Sequence, residues 1–184
     1  VVIPFEHSPS GLARNIRATV SIIDVNRQSW EATESFLVHP AANYVGLRSE
    51  ETFVQRDKPW VVEAVAVDID GKAVPGLPIE IEIRRERSGE IEVVQTCTKT
   101  SAENPISCSF SDLSPGMYRA RATVKDALGR QSESYLSFWV AGQDRRGAKT
   151  AEEDSLLLIP NKEVYQVGET ASVLVQSPYY PLNA

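Results

Sequence analysis

The chain has 184 residues and a hydrophobic content of 42%, which is enough for a packed core and argues against global disorder. Its formal net charge is −6 and its pI is near 5.0, and no basic stripe is interleaved with aromatic residues, so the composition argues against nucleic-acid binding. No apolar run is long enough to span a membrane, and the first residues do not have the pattern of a signal peptide.

The start of the chain predicts two strands that share a turn. Residues 17–25 alternate between apolar and polar side chains, and residues 30–38 form a second strand after a turn at 26–27. A connection that contains Pro40 follows, and we expect a domain boundary there. Residues 44–55 then hold a short strand and a loop.

The most regular pattern lies in residues 60–84, which predict two strands joined into a hairpin. Residues 79–84 alternate Ile with Glu or Arg, so this strand has one apolar and one solvated face. Residues 60–67 are apolar on both parities except at Glu63, so we expect this strand to be covered on both faces. Asp-Gly and Pro-Gly dipeptides between the strands supply the backbone angles of a turn.

Further strands with turn signals about every ten residues complete the pattern, and no segment has helical spacing with caps. Residues 143–154 are polar, without periodicity, and predict an exposed linker. The sequence therefore predicts an all-β, immunoglobulin-like antiparallel β-sandwich. These later strands are predicted at residues 91–97, 108–110, 118–124, 134–140, 155–160 and 170–176.

An internal repeat organises the chain into units. A shift of 102 places Ala18, Asp24, Phe36 and Val38 on Ala120, Asp126, Phe138 and Val140, and a shift of 112 places Phe53 and Val61 on Tyr165 and Val173. We therefore expect a tandem array and an internal fragment of a larger protein. Its parts are the last strands of one sandwich at 1–40, a complete sandwich at 41–142, the linker at 143–154 and the first strands of the next domain at 155–184.

Cys97 and Cys108 flank a polar loop that contains Asn104-Pro105. If the two flanking strands oppose each other, the two Cβ atoms lie within disulfide range, and closing this loop stabilises the fold by about 3 kcal/mol. The alternative is two reduced, half-buried thiols. A disulfide predicts a location outside the cytosol.

Several polar and aromatic residues have both a functional and a structural interpretation. Asp68, Asp70 and Asp126 are carboxylates that can bind calcium, but each stands where a β-turn favours Asp. Glutamates on alternating strand positions fit a solvated face better than an acid–base pair, and the tryptophans fit packing better than a sugar platform. We predict no catalytic, cofactor or metal residue. The other candidates weighed are Glu80, Glu82, Glu90, Glu92, Trp30, Trp60, Trp139, His7 and His39.

Residues 156–178, LLLIPNKEVYQVGETASVLVQSP, resemble the segment that opens the bait region of alpha-2-macroglobulins, especially bacterial ones. The matching residues are Pro160, Lys162, Tyr165, Gly168, Glu169, Ala171, Ser177 and Pro178, whereas Asn161 replaces the usual Asp. Residues 41–142 are similar to the macroglobulin-like domains that precede that segment, in which a paired cysteine hairpin is frequent.

The resemblance implies a part of a protease trap rather than an enzyme. Such proteins collapse around a protease that cuts the bait, and many bond to it through a thioester. The thioester motif Cys-x-Glu-Gln is absent here, since Thr98 to Thr100 follow Cys97 and Ser109 to Ser111 follow Cys108. The implied partners are target proteases, met through the intact parent, and neighbouring domains. The implied location is periplasmic or extracellular, and an anchor of the parent in the inner membrane is one alternative.

Three alternatives remain open on the sequence. The linker carries Arg145, Arg146 and Lys149, so it is either a plain tether or a bait for a trypsin-like protease. The repeat also fits an adhesin or surface stalk of immunoglobulin-like units. A sugar-binding accessory module would need a row of exposed aromatic residues on one face.

For the ends of the chain, we expect residues 1–40 and 155–184 to pair with a neighbour or with each other.

Overall fold

The computed structural model describes residues 13–87, 89–142, 156–162 and 164–177, and these residues form strands and connections without a helix. The strands are β1 (Arg14–Ile23), β2 (Ser29–Val38), β3 (Asn43–Arg48), β4 (Phe53–Gln55), β5 (Trp60–Asp68), β6 (Pro78–Arg87), β7 (Glu90–Thr100), β8 (Ile106–Phe110), β9 (Gly116–Lys125), β10 (Gln131–Ala141), β11 (Leu157–Pro160) and β12 (Val173–Gln176). The all-β prediction is confirmed.

A sandwich of two sheets fills the middle of the chain. One sheet has five strands in the order β4-β10-β9-β6-β7, and the other has three in the order β3-β5-β8. Neighbouring strands are antiparallel except β4 and β10, which run parallel. The remaining strands form two separate pairs, β1-β2 and β11-β12.

The prediction of a hairpin in residues 60–84 is wrong. β5 lies in the three-stranded sheet and β6 in the five-stranded sheet, so residues 69–77 cross from one sheet to the other. The physical reason is that each strand has one strongly apolar parity. Trp60 and Val62 on β5 and Ile79 and Ile81 on β6 are all 0% exposed, because the two parities lie in one core between the sheets.

The expected burial of both faces of β5 is also wrong for the described residues. Val61 is 46% exposed, and Val65 and Val67 on the same outward face are only half-buried. A Val-rich strand is therefore compatible with one open face, since β-branched residues favour the extended backbone by themselves.

Aromatic rings fill the centre of the sandwich. Trp60 stacks on Phe138 with ring centroids 3.7 Å apart, and the Tyr118 ring centroid lies 5.5 Å from that of Phe138. The Tyr118 hydroxyl donates a hydrogen bond to the carbonyl of Ser114 at 2.7 Å, which fastens the entry of β9 to the turn before it. At this edge Arg85 lies over the Tyr118 ring and donates to the carbonyl of Pro115 at 2.9 Å.

The repeat of 102 residues extends to the strand register. The ladder of β1 and β2 pairs Ile16 with Phe36, and the ladder of β9 and β10 pairs Tyr118 with Phe138. The two hairpins thus have the same register, shifted by 102. In β9-β10 the apolar face lies in the core, whereas the same face of β1-β2 is mostly exposed, with Trp30 at 68%.

Candidate functional site at the end of the sandwich

Residues 156–177 lie against one end of the sandwich, and Thr52 makes hydrogen bonds to both. The N–H of Thr52 donates to the carbonyl of Asn161 at 3.0 Å, and its hydroxyl donates to the carbonyl of Pro160. The carbonyl of Thr52 accepts from the N–H of Trp139 on β10 at 2.9 Å. One residue therefore connects the last strand of the sandwich with the next strand pair.

The loop that holds Thr52 is fixed from inside. The indole N–H of Trp60 donates to the carbonyl of Glu51 at 3.1 Å, and the hydroxyl of Ser49 donates to the carbonyl of Val61 at 2.7 Å. Because Trp60 is fully buried, the loop is anchored in the core. The polypeptide around Thr52 is thus already in position for the segment that it contacts.

The segment on the other side is shaped by the residues that carry the family resemblance. The Oδ1 of Asn161 accepts from the Tyr165 hydroxyl at 2.7 Å and from the N–H of Ser172 at 3.0 Å. The Tyr165 hydroxyl in turn accepts from the N–H of Lys162 at 3.2 Å. A carboxylate would accept the same two bonds, so the replacement of Asp by Asn161 conserves the geometry.

Gly168 and Glu169 close the other half of this loop. Gly168 has a φ of 92°, a conformation that favours glycine. The Glu169 carboxylate accepts from the N–H of Gln166 at 3.1 Å and lies 3.5 Å from the Lys162 ammonium group. The Gln166 hydrogen bond, followed by the Lys162 charge, lowers the pKa of Glu169. The Asn-Lys-x-x-Tyr-x-x-Gly-Glu pattern is therefore the sequence of a self-bonded loop.

Cys97 and Cys108 are joined by a disulfide, with their Cα atoms 6.3 Å apart. The expected pairing of their two strands is wrong, because β7 belongs to the five-stranded sheet and β8 to the three-stranded sheet. Two side-chain hydrogen bonds flank the disulfide on the same parity of β7. Gln95 donates to the carbonyl of Ser111 at 2.7 Å, and Lys99 donates to the carbonyl of Ser107 at 2.6 Å. These three links close one edge of the sandwich.

Aspartate turns account for two of the three calcium candidates. The Oδ1 of Asp68 accepts from the N–H of Asp70 at 2.9 Å and of Lys72 at 2.9 Å, and the Oδ1 of Asp126 accepts from Leu128 and Arg130 in the same way. Asp70 is thus a residue within the Asp68 turn. In the described part of the chain, no three His, Cys, Asp or Glu side chains are grouped to hold a metal ion.

Asp126 also holds the connection that enters the sandwich. Its Oδ2 accepts from the N–H of Ala42 at 3.0 Å and from Arg130 at 2.7 Å. The Ala42 hydrogen bond, with those from Arg130 and Leu128, lowers the pKa of Asp126 to about 2. On either side of Ala42 in the sequence, His39 and Tyr44 share a hydrogen bond of 2.6 Å, and burial raises the pKa of Tyr44. His39 therefore has a structural contact where the chain enters the sandwich. His7 lies outside the described residues.

The glutamates on the outer face of the five-stranded sheet do not form an isolated carboxylate pair. The Glu82 carboxylate lies 2.5 Å from Arg84 and 3.3 Å from Arg121, which also binds Glu133. The bond from Arg121, then those from Tyr135 and Gln131, lowers the pKa of Glu133 to about 2. Glu80, Glu90 and Glu92 are exposed, as a solvated face requires.

The tryptophans are in three different environments. Trp60 lies in the core, Trp139 is half-buried on β10, and Trp30 is exposed on β2. They do not form one row, so they do not make the sugar platform that was weighed as an alternative. Arg145, Arg146 and Lys149 of the linker lie outside the described residues.

Sequence reasoning missed Thr52. Nothing in the residue type of Thr52 indicates that it connects two units, because two of its three bonds use backbone atoms. The turn predicted at 26–27 is confirmed, and the Oδ1 of Asp24 accepts from the N–H of Asn26 and of Gln28, each at 2.8 Å. Asp24 and Asp126 are 102 positions apart and each follows an alternating strand, as the repeat predicts.

The geometry places the chain among the all-β proteins built from immunoglobulin-like sandwiches, with the next strand pair held at one end. No family model matches the chain. An alpha-2-macroglobulin homolog from Nostoc sp. is 27% identical to it over 179 residues, which covers 89% of this chain and 9% of that protein.

Two solved structures of bacterial alpha-2-macroglobulin share the fold. The native conformation of the Escherichia coli protein matches with a TM-score of 0.51 and 17% identity, over 92% of this chain and 13% of that one. The trypsin-activated Escherichia coli protein matches with a TM-score of 0.51 and 16% identity, over 90% of this chain and 12% of that one. The resemblance predicted from residues 156–178 is therefore confirmed: the chain is similar to bacterial alpha-2-macroglobulins, and it spans about a tenth of their length. In the described residues no helix is long and apolar enough to cross a membrane.

Proposed function

We propose that this chain is part of the frame of a bacterial alpha-2-macroglobulin-like protein that traps proteases after its bait is cut. The observation that carries the proposal is the loop of residues 160–169. Its motif residues bond to each other and to Thr52, so the segment that resembles the opening of the bait region is seated on a rigid sandwich. A rigid seat is what a frame needs in order to convert one cut into a shift between domains.

The proposed division into units is that of the sequence repeat. Residues 1–40 are the last strands of one sandwich, 41–142 are a complete sandwich, 143–154 are a linker, and 155–184 begin the next domain. The identical registers of β1-β2 and β9-β10 support the first boundary, because they make β1-β2 the counterpart of a hairpin whose apolar face lies in a core. On this division the exposed face of β1-β2 packs on strands that precede the chain.

No group in the chain is proposed to act as a catalytic, cofactor or metal residue. The disulfide between Cys97 and Cys108 supports a periplasmic or extracellular location for the parent protein, because disulfides persist in oxidising compartments. The proposed partners are target proteases, met by the whole parent, and the neighbouring domains of the same chain.

The test uses the intact parent protein with an active protease. The activity of the protease is measured on a small peptide and on a large protein substrate. A trap leaves peptide cleavage intact and blocks protein cleavage, because a caged protease admits only small substrates. As a control, protease inactivated beforehand is mixed with the parent and checked for co-elution in size-exclusion chromatography, because a trap retains the protease only after the bait is cut.

A surface stalk is the second candidate, and the repeat of 102 residues favours it because arrays of sandwiches give reach. If the parent is a stalk, the protease digests it and keeps full activity on both substrates. That result would overturn the trap and leave the fold unaffected.

A further inference from the structure

We propose that the end of the sandwich around Thr52 is a docking surface for residues 156–177, so that the two parts keep one orientation whatever the length of the chain between them. This inference concerns only the contact between the sandwich around Thr52 and residues 156–177. It does not depend on whether the parent protein is a trap or a stalk.

Thr52 makes two hydrogen bonds to this segment, and together they fix the orientation of β11. The N–H of Thr52 donates to the carbonyl of Asn161 at 3.0 Å, and its hydroxyl donates to the preceding carbonyl, that of Pro160. Two successive carbonyls at the end of β11 are thus held by one residue. A single hydrogen bond would leave β11 free to rotate about it, whereas two bonds to adjacent peptide units fix its orientation.

Each side of the contact is held by hydrogen bonds of its own. On the sandwich side, the carbonyl of Thr52 is bonded to Trp139 and that of Glu51 to the buried Trp60. On the other side, the Asn161 side chain is bonded to Tyr165 and to Ser172. Since neither loop has to be ordered on docking, little conformational entropy opposes the contact.

The length of the intervening chain has a small influence on such a contact. Doubling a flexible loop costs only about 0.6 kcal/mol of closure entropy. If the Thr52 contact sets the orientation, a longer linker leaves the orientation unchanged. If the linker sets the orientation, the same change releases it.

The experiment measures residual dipolar couplings in the isotopically labelled 184-residue chain. These couplings report whether β11-β12 and the sandwich share one alignment tensor. Four chains are compared: the natural one, Thr52→Val, Thr52→Ser, and one with ten Gly and Ser residues inserted after Arg146. Thr52→Val removes the hydroxyl at nearly constant volume, and Thr52→Ser keeps it.

We expect one shared tensor in the natural chain, in Thr52→Ser and in the chain with the insertion, and separate tensors in Thr52→Val. We also expect the amide of residue 52 to exchange roughly five to ten times faster in Thr52→Val, which corresponds to the loss of one hydrogen bond. The Trp139 amide serves as the internal control for an intact sandwich, because its bond does not involve the hydroxyl.

The proposal is overturned by separate tensors in the natural chain, by a shared tensor in Thr52→Val, or by loss of the shared tensor on insertion alone. If Thr52→Val instead loosens the whole sandwich, the Trp139 amide also loses its protection. In that case Thr52 supports the fold and does not dock the segment, which likewise overturns the proposal.

Discussion

Arg27 and Gly129 occupy the same position in two copies of one turn. Each lies three residues after an aspartate, and each donates its N–H to the carbonyl of that aspartate, at 3.0 Å to Asp24 and at 2.9 Å to Asp126. Both have a positive φ, 62° for Arg27 and 75° for Gly129. Gly71 holds this position in the Asp68 turn, with a φ of 82°. The turn therefore requires a left-handed residue, and only the first copy uses one with a side chain.

The strain at this position can be tested at Gly129. We expect Gly129→Ala to lower the free energy of unfolding of the sandwich by about 1 kcal/mol, because alanine is strained at positive φ. No atom lies within 4 Å of the Cβ that alanine would add, so the backbone alone is responsible. Urea unfolding measures the loss. Gly129→Asn is the control and should cost less, since asparagine tolerates this conformation. Equal costs for the two variants would refute the explanation.

The reverse substitution tests the first copy. We expect Arg27→Gly to slow amide exchange in the β1-β2 ladder by a few fold, because it removes roughly 1 kcal/mol of left-handed strain. The Thr19 and Thr33 hydroxyls, 3.0 Å apart in the middle of this hairpin, mark where the protection should be read. Faster exchange in Arg27→Gly would mean that flexibility in the glycine variant outweighs the strain.

The sequence predicted which residues form strands and which side chains face the core. It predicted less well which sheet each strand joins. Alternation placed Ile79, Ile81 and Ile83 inward, and the structure confirms it, since all three are 0% exposed. Alternation does not say which sheet a strand joins, and the turn signals between β5 and β6 are equally compatible with a hairpin and with a crossing between sheets. The same limit applies to Cys97 and Cys108, whose proximity was predicted but whose strands lie in different sheets. Thr52 could not be predicted at all, because backbone partners that are distant in sequence leave no local pattern.

The disulfide should carry more stability than the hydrogen bonds beside it. We expect the double variant Cys97→Ser, Cys108→Ser to lose about 3 kcal/mol of unfolding free energy, from the entropy of a short closed loop. Lys99→Met, which removes one flanking hydrogen bond, should lose about 1 kcal/mol. Guanidinium unfolding measures both. A loss below 1 kcal/mol for the double variant would show that β7 and β8 are held together mainly by the sandwich core.

Acid should weaken the fold through Glu133. Its pKa falls from an ordinary 4.5 to about 2 in the folded state, chiefly because Arg121 donates to it. A folded-state pKa below the unfolded value stabilises the protein above pH 4.5, and this contribution is lost as the pH falls from 4.5 to about 2. We therefore expect Glu133→Gln to lower the melting temperature at pH 7 by about 3 °C, a value reduced for solvent screening.

The same variant should differ little from the natural protein near pH 2.5, where the natural carboxylate is itself becoming protonated. Melting curves across the acid range measure the difference. Glu90→Gln on the exposed part of β7 is the matched control, and we expect it to change the melting temperature little at any pH. A constant difference between Glu133→Gln and the natural protein at all pH values would show that shape rather than charge is responsible.

Ser132 offers a substitution that should stabilise the sandwich. Its hydroxyl is fully buried on β10 and has no hydrogen-bond partner among the described residues. A buried hydroxyl without a partner costs about 1–3 kcal/mol, and alanine removes it while leaving little space. We therefore expect Ser132→Ala to raise the unfolding free energy by about 1 kcal/mol. Ser137→Ala, at an exposed position of the same strand, should change it by less than about 0.5 kcal/mol. A destabilised Ser132→Ala variant would indicate a buried water molecule that bonds to the hydroxyl.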